Sequence, residues 1–366
     1  MALSARYLSL LPSELTDLFS QLESDIINDI CRRIKKANYN MTATADWQIY
    51  KMQQMGYSQK EVQKLISKAL NISDKMVRDI MTDACSYSVD NDNKIYRKAK
   101  EHGVNLASVY DLADTPNLKA LLDAGIKQTQ WELRNFTQTM AISSQAQFIS
   151  ALDNAWLQVK SGAIDPNTAI KNAVKKLGAD GIKMIDYASG RRDQVDVATR
   201  RAALTGVNQT SGKISEQRMQ DMGVNLVITT SHNGSRPEHQ TWQGRVFAYD
   251  SVVDGYEDFR AATGYGTVSG CQGANCRHHF YPYYKGISRN TMQHFDSKEN
   301  NNLYEAEQEQ RKNERMIRQW KRRKDALDSV GLDSIMETSK VKEWQRKQRE
   351  HIEKYGLPRQ YHRERV

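Results

Sequence analysis

Apolar residues recur at helical spacing through most of the first 222 positions of the chain. In SELTDLFSQLESDIINDICRRIKK, residues Leu15, Leu18, Leu22, Ile26, Ile27, Ile30 and Ile34 fall on one face, and Ser13 stands where an N-cap is needed. SQKEVQKLISKAL opens on Ser58 with Glu61 three residues later, a capping-box spacing that predicts a helix start at Ser58. DPNTAIKNAVKKLG predicts a helix capped by Asp165, opened by Pro166 and stopped at Gly178. Residues 117–160 and 192–222 continue the helical pattern. None of these segments clusters a nucleophile, a base and an orienting partner, so their predicted role is architectural.

The period changes at MGVNLVITTSHNG. Val224, Leu226 and Ile228 alternate with other positions and Thr229 and Thr230 are β-branched, which predicts a strand. GRVFAYD at 244–250 reads as a second strand, and the intervening Asn233-Gly234 suits a turn with left-handed backbone angles. A glycine-rich loop, ATGYGTVSG, then leads into SGCQGANCRHHFYPYYKG at 269–286. From about 296 the chain is again helical but intensely charged, with sparse apolar positions at Leu303, Met316, Ile317, Trp320 and Leu327. Such a helix cannot bury a full face alone, and is expected to be solvated or to lie on a partner. The predicted fold class is α+β. The chain divides into a mostly helical region (1–190), a small mixed module (191–290) and a charged helical tail (291–366).

Composition narrows the partners. The chain has 366 residues, 39% hydrophobic and 27% charged, enough for two or three structural units with a buried core. No run is apolar enough to span a bilayer and the start reads as no signal peptide, so no membrane partner is expected. Four cysteines, two of them isolated at Cys31 and Cys85, do not make a secreted disulfide scaffold and point to a reducing cytoplasm. The net charge of +9 favours polyanions, nucleic acid above all, because neutralised phosphates release counterions. The densest basic cluster, Lys321, Arg322, Arg323 and Lys324, is the candidate DNA contact.

Candidate chemistry concentrates between 232 and 279. His239, Cys271, Cys276 and His278 would make a Cys2His2 set, with a C-x4-C spacing permissible for structural zinc. His232 and His279 are equally available, so spacing leaves the ligand choice open. A metal-free alternative is a hydrogen-bonded knot in which Arg236 and Arg277 tie loop carbonyls together. A nucleophile pair of Cys276 and His239, activated by Arg277, or an HNH-type metal-dependent nuclease would be the enzymatic readings. Neither fills a full set of catalytic roles: Glu305 and Glu307 lie in a glutamate- and glutamine-rich stretch where an E-x-E arises by chance.

The block TGVNQTSGKISEQRMQDMGVNLVITTSHNGSRPEHQTWQGRVF, followed by YEDFRAATGYGTVSGCQGANCRHHFYPYYKGIS, resembles the phage minor capsid protein 2 family of tailed phages infecting Gram-positive bacteria. The elements that carry the resemblance are Asn208 in TGVNQ, Arg236, His239, Trp242 and Gly244 in RPEHQTWQG, Gly264 to Gly266, and Cys271, Asn275, Cys276, Arg277 and His278 in CQGANCRH. It is close over about 190–290, and similar in layout to the Mu F-like head morphogenesis proteins. The resemblance implies a minor capsid component with no catalytic residues and no small-molecule substrate, present in the virion's capsid interior and, during assembly, in the host cytoplasm. Its implied partners are the portal protein, the inside of the capsid and packaged double-stranded DNA, with roles in head morphogenesis, DNA packaging or ejection. The knot residues Arg236, His239, Trp242, Gly244, Asn275 and Arg277 are then expected to define the fold of the module. The alternative function is a metal-dependent nuclease or other DNA hydrolase built on the Cys/His cluster.

Overall fold

The structure is a computed structural model that describes residues 3–182, 185–186 and 192–366. Nine α-helices are described: α1 (Ala5–Leu10), α2 (Ser13–Lys36), α3 (Thr44–Glu101), α4 (Pro116–Lys160), α5 (Pro166–Asp180), α6 (Val195–Asp221), α7 (Phe259–Thr263), α8 (Ser297–Asp328) and α9 (Ile335–Tyr355). The described strands are β1 (Ile185–Asp186), β2 (Arg192–Asp193), β3 (Leu226–Thr229), β4 (Val246–Ala248) and β5 (Phe280–Pro282). The described strands form a two-stranded antiparallel sheet, β1–β2, and a three-stranded one, β4–β3–β5, so the fold is mostly helical with little sheet, consistent with α+β. No described helix is long and apolar enough to cross a membrane.

The chain forms two compact units. One comprises residues 1–12, 74–132 and 200–307, the other 13–73, 133–199 and 308–366. Each therefore draws on all three stretches of the sequential division at 190 and 290, and the expected boundary at 190–191 lies outside the described residues. Residues 44–73 of α3 belong to the second unit and residues 74–101 to the first.

In the first unit, β3 is the central strand of the sheet, antiparallel to β4 on one side and β5 on the other. Val227 pairs with Phe247 and with Pro282, and all four β3 residues are buried, as a strand covered on both faces requires. Met219, Val227, Trp242, Phe247, Tyr249, Phe259 and Phe280 close the core around it. The strands expected at 224–230 and 244–250 are both present, shortened to four and three residues. Strand β5 carries no alternating pattern in the sequence and was not predicted. Near the start of the chain, Leu3 N donates to the Tyr281 hydroxyl at 2.6 Å, tying that segment to β5.

In the second unit, α2 buries its predicted face through Leu15, Leu22, Ile26, Ile27, Ile30 and Ile34, with Leu18 only half-buried. Helix α5 starts as predicted: Asp165 caps it by accepting from Thr168 N at 3.1 Å. Two helix boundaries differ from expectation. Ser58 lies inside α3, not at a start, because the good helix formers from Lys51 to Met55 carry the helix through Gly56 and Tyr57, and a capping box adds nothing to residues already hydrogen-bonded. Helix α5 runs past Gly178 to a C-cap at Gly181 (φ +63°). Gly178 is there for packing: a Cβ on it would stand 2.6 Å from Arg323 Cα.

The charged helix α8 is also folded in, through buried polar residues instead of an apolar face. Arg318 Nη2 pairs with Asp196 at 2.6 Å, Arg322 Nη1 with Glu23 at 3.6 Å, and Arg323 Nε with Glu337 at 3.0 Å. Glu23 and Glu337 are almost completely buried.

Candidate functional site

The cysteine and histidine residues belong to three elements of the first unit. A short 3-10 turn, Pro237–Thr241, presents His239. Helix α7, capped by Asp258 accepting from Ala261 N at 2.7 Å, ends at Gly264 and releases the loop that contains Cys271 and Cys276. That loop folds on itself through Cys271 N to Thr263 O (3.0 Å) and Ala274 N to Val268 O (2.8 Å). It is tight enough that a Cβ on Gly270 would meet Gly264 O at 2.0 Å. Gln272 and Asn275 both sit at positive φ, 59° and 58°. Asparagine tolerates that region through local hydrogen bonding, whereas glutamine there is strained and must be held by its surroundings. The entry into β5 then places His278 and His279.

Three side chains converge. His239 Nδ1 lies 3.3 Å from His278 Nδ1, and Cys276 Sγ lies 3.6 Å from His278 Nδ1, with all three ligand atoms within 4.8 Å of one another. Each of the three residues is at most 3% exposed. Cys271, equally buried, hydrogen-bonds the Cys276 sulfur. Burial pushes the Cys276 thiol up, but its contacts with Cys271, His239 and His278 outweigh it and hold Cys276 well below the usual cysteine range. Burial, then the bond to and charge of Cys276, push Cys271 well above that range. Burial is the leading cause that lowers His278, keeping its ring neutral.

The other ring nitrogens are tied off. His239 Nε2 lies 2.8 Å from Ser269 O and His278 Nε2 lies 3.1 Å from Gln243 Oε1. The Gln243 oxygen is identified as an acceptor because the His232 backbone N–H donates to it at 3.1 Å. Asn208, fully buried on α6, donates from Nδ2 to Cys276 O (3.1 Å) and His278 O (2.9 Å), clamping the backbone of two cluster residues. The His278 backbone N–H donates to Cys276 Sγ at 3.4 Å. Trp242 packs its ring 4.6 Å from His239 and 4.7 Å from His278, centroid to centroid.

Spacing left four histidines in play, and their partners separate them. His279 points elsewhere: Nε2 lies 3.2 Å from Ser88 Oγ and Nδ1 lies 2.7 Å from Gln272 Nε2, and burial lowers its pKa to about 3. His232 stacks on His278 but turns Nδ1 to its neighbour Asn233 O at 3.0 Å. The remaining knot candidates lie around the cluster. Arg236 donates to Ala274 O of the cysteine loop. Arg277 donates to Gly234 O and pairs with Glu307 at 3.1 Å. Gly244 takes φ +71° while its carbonyl accepts from Asn290. The Asn275 backbone N–H reaches Thr205 Oγ1 at 3.5 Å. Gln243 and the Ser269 carbonyl were missed by sequence reasoning. Gln243 stands four residues after His239, one helical turn on, which was the one local signal available.

The basic cluster on α8 is part of the second unit. Arg322 is buried against Glu23, Arg323 lies over the Trp320 ring and bonds Glu337, Lys321 donates to Glu364 O at 2.7 Å, and Lys324 pairs with Asp328.

The module of this helix-rich chain is stapled by half-buried Arg236 and Arg277 and by buried Asn208, Cys276, His239 and His278. The chain matches the phage minor capsid protein 2 family over residues 3–353 and belongs to it, which makes it a phage structural protein and a virion component. It is 27% identical over 375 aligned residues, 95% of this chain and 98% of the relative, to a structural protein of Lactococcus phage LL-H. A second relative, a structural protein of Lactococcus phage mv4, is 39% identical over 106 residues, 28% of this chain and 86% of the relative. No solved structure matches the chain.

Proposed function

We propose that this chain is a minor head protein that assembles with the portal inside the capsid and meets packaged double-stranded DNA without sequence preference. The family match over nearly the whole chain carries the reading, and both relatives are named as structural proteins. The +9 charge supports a polyanion partner, and no described segment resembles a groove-reading recognition helix. Co-expression with the portal protein encoded by the same phage tests the assembly step: the two are expected to co-purify, and separate elution at low salt overturns portal docking.

The nuclease reading is disfavoured by burial. A hydrolytic metal needs an open coordination position that a phosphodiester can reach. His239, Cys276 and His278 are instead sealed from solvent. Plasmid incubated with the protein and divalent metals is expected to stay uncut. Cutting that disappears in His239→Ala would replace the structural reading with an enzymatic one.

For DNA, the structure guides the variant. Removing Arg322 and Arg323 would break the buried Glu23 and Glu337 pairs, so Lys321→Gln with Lys324→Gln is the cleaner test of the cluster. Affinity for unrelated duplexes is expected to be equal and to fall steeply with salt. The double variant is expected to flatten the log–log salt slope by roughly two if both lysines meet phosphates. A slope unchanged from the parent removes these lysines from the DNA contact.

A further inference from the structure

The two imidazoles of the buried cluster face each other in a way that neutral histidines do not tolerate without something between them. A carbonyl oxygen only accepts, so the contacts of His239 Nε2 with Ser269 O and of His278 Nε2 with Gln243 Oε1 place the ring proton on Nε2 in both. With no second proton on either ring, each Nδ1 presents a bare lone pair, and the two lone pairs point at one another across 3.3 Å, with the Cys276 sulfur 3.6 Å from one of them. We propose that His239 Nδ1, His278 Nδ1, Cys276 Sγ and Cys271 Sγ hold one structural zinc ion.

The spacings match that chemistry. Zinc–nitrogen bonds of about 2.0–2.1 Å and zinc–sulfur bonds of about 2.3 Å at tetrahedral angles put two ligand nitrogens about 3.3–3.4 Å apart and a nitrogen and a sulfur about 3.5–3.6 Å apart. The observed 3.3 Å and 3.6 Å fall on those values. The surroundings match as well: zinc-bound histidines donate their second ring N–H to a carbonyl or carboxylate, and both do so here. A backbone N–H reaches the Cys276 sulfur, and Asn208 fixes the carbonyls on either side of Arg277. Cys271, buried in the same loop, stands outside the group of three whose ligand atoms lie within 4.8 Å of one another, and it closes a Cys2His2 shell, with no position left for substrate, by turning its Sγ onto the ion. Tetrahedral sulfur and nitrogen ligands select zinc over the hard cations magnesium and calcium. The site is independent of the portal and DNA reading, since a module of this size gains from a metal staple whatever it docks on.

Elemental analysis of the full-length protein, purified under reducing conditions without chelator, is expected to find close to one zinc per chain. His239→Ala and Cys276→Ser are expected to lose it. Because those variants can fail to fold, a second measurement uses the parent: denatured, stripped of metal and refolded with cobalt(II), it is expected to show thiolate-to-cobalt charge transfer and the intense visible bands of a tetrahedral ion. Cys271→Ser is expected to lose about half of the charge-transfer intensity, as one of two thiolates would go. Parent protein with far less than one zinc per chain and no thiolate–cobalt band overturns the site. An unchanged band in Cys271→Ser overturns the four-ligand shell.

Discussion

Asn208 offers a test of how the cysteine–histidine module is held together. Its side chain is fully buried on α6, and its Nδ2 donates to two carbonyls, those of Cys276 and His278. Replacement by alanine leaves both carbonyls buried and unpaired, at about 1–3 kcal/mol each. Part of that loss is offset, because the Asn208 Oδ1 is itself buried without a hydrogen-bond partner and its desolvation is relieved. The expected net destabilisation is about 2–4 kcal/mol. At roughly 2–4 °C per kcal/mol for a unit of this size, the melting temperature falls by about 5–15 °C. Urea unfolding followed by tryptophan fluorescence reads the change, since Trp242 lies against His239 and His278. Asn208→Asp sharpens the test. It keeps the shape but aims carboxylate oxygens at two carbonyl oxygens, so it is expected to be at least as damaging near neutral pH and to recover partly in acid, where a protonated carboxyl donates. If both variants unfold within about 0.5 kcal/mol of the parent, the range of an ordinary surface substitution, the clamp is not what fixes the cysteine loop.

Three further outcomes are expected. Gly178→Ala gains helix propensity of up to about 1 kcal/mol yet is expected to destabilise by roughly 1–3 kcal/mol, because the new methyl meets the Arg323 backbone; a stabilised variant in thermal melts contradicts the packing of α5 on α8. Arg322→Ala strands the buried Glu23 carboxylate and is expected to cost about 3–5 kcal/mol in urea titrations, whereas Lys324→Ala, paired with Asp328 near the surface, is expected to cost under about 1 kcal/mol; equal effects contradict the buried pair. Burial raises Asp92 to about 7, against the opposing Arg218 charge and Ser215 hydrogen bond, with Tyr96 and Tyr281 also nearby. A raised carboxyl favours the folded state while it is protonated, so this contribution is present in acid and lost as pH rises from about 4 to about 7. Asp92→Asn lacks that titration and is expected to gain on the parent across the upper part of the window, and a pH-independent difference between the two refutes the shift.

Local signals were legible where one residue type decides a local structure. Asp165 before Pro166 marked a helix start, the α2 stripe marked a buried face, and β-branched residues marked β3. The same local logic placed a helix start at Ser58, since a capping box looks alike at a true terminus and inside a long helix. Strand β5 was hidden because its three residues include a proline and follow two histidines, and it exists through its pairing with β3. The tail's interior face is invisible in its apolar positions, because its buried contacts are made by Arg318 and Arg322 with acids far away in sequence. The four histidines were indistinguishable by spacing because what sorts them is remote: Ser88 holds His279 from 191 residues away, and Ser269 orients His239 from 30. The family resemblance reached further than residue spacing did, close over 190–290 from its motifs and extended to residues 3–353 by the family match.

The proposed place of this chain, a member of the phage minor capsid protein 2 family, is the phage head, as a minor component. Quantitative mass spectrometry of purified virions, with heads separated from tails, tests it most directly. The chain is expected in the head fraction at a copy number far below that of the major capsid protein. Its absence from heads, with the protein abundant in the infected-cell lysate, would contradict the account.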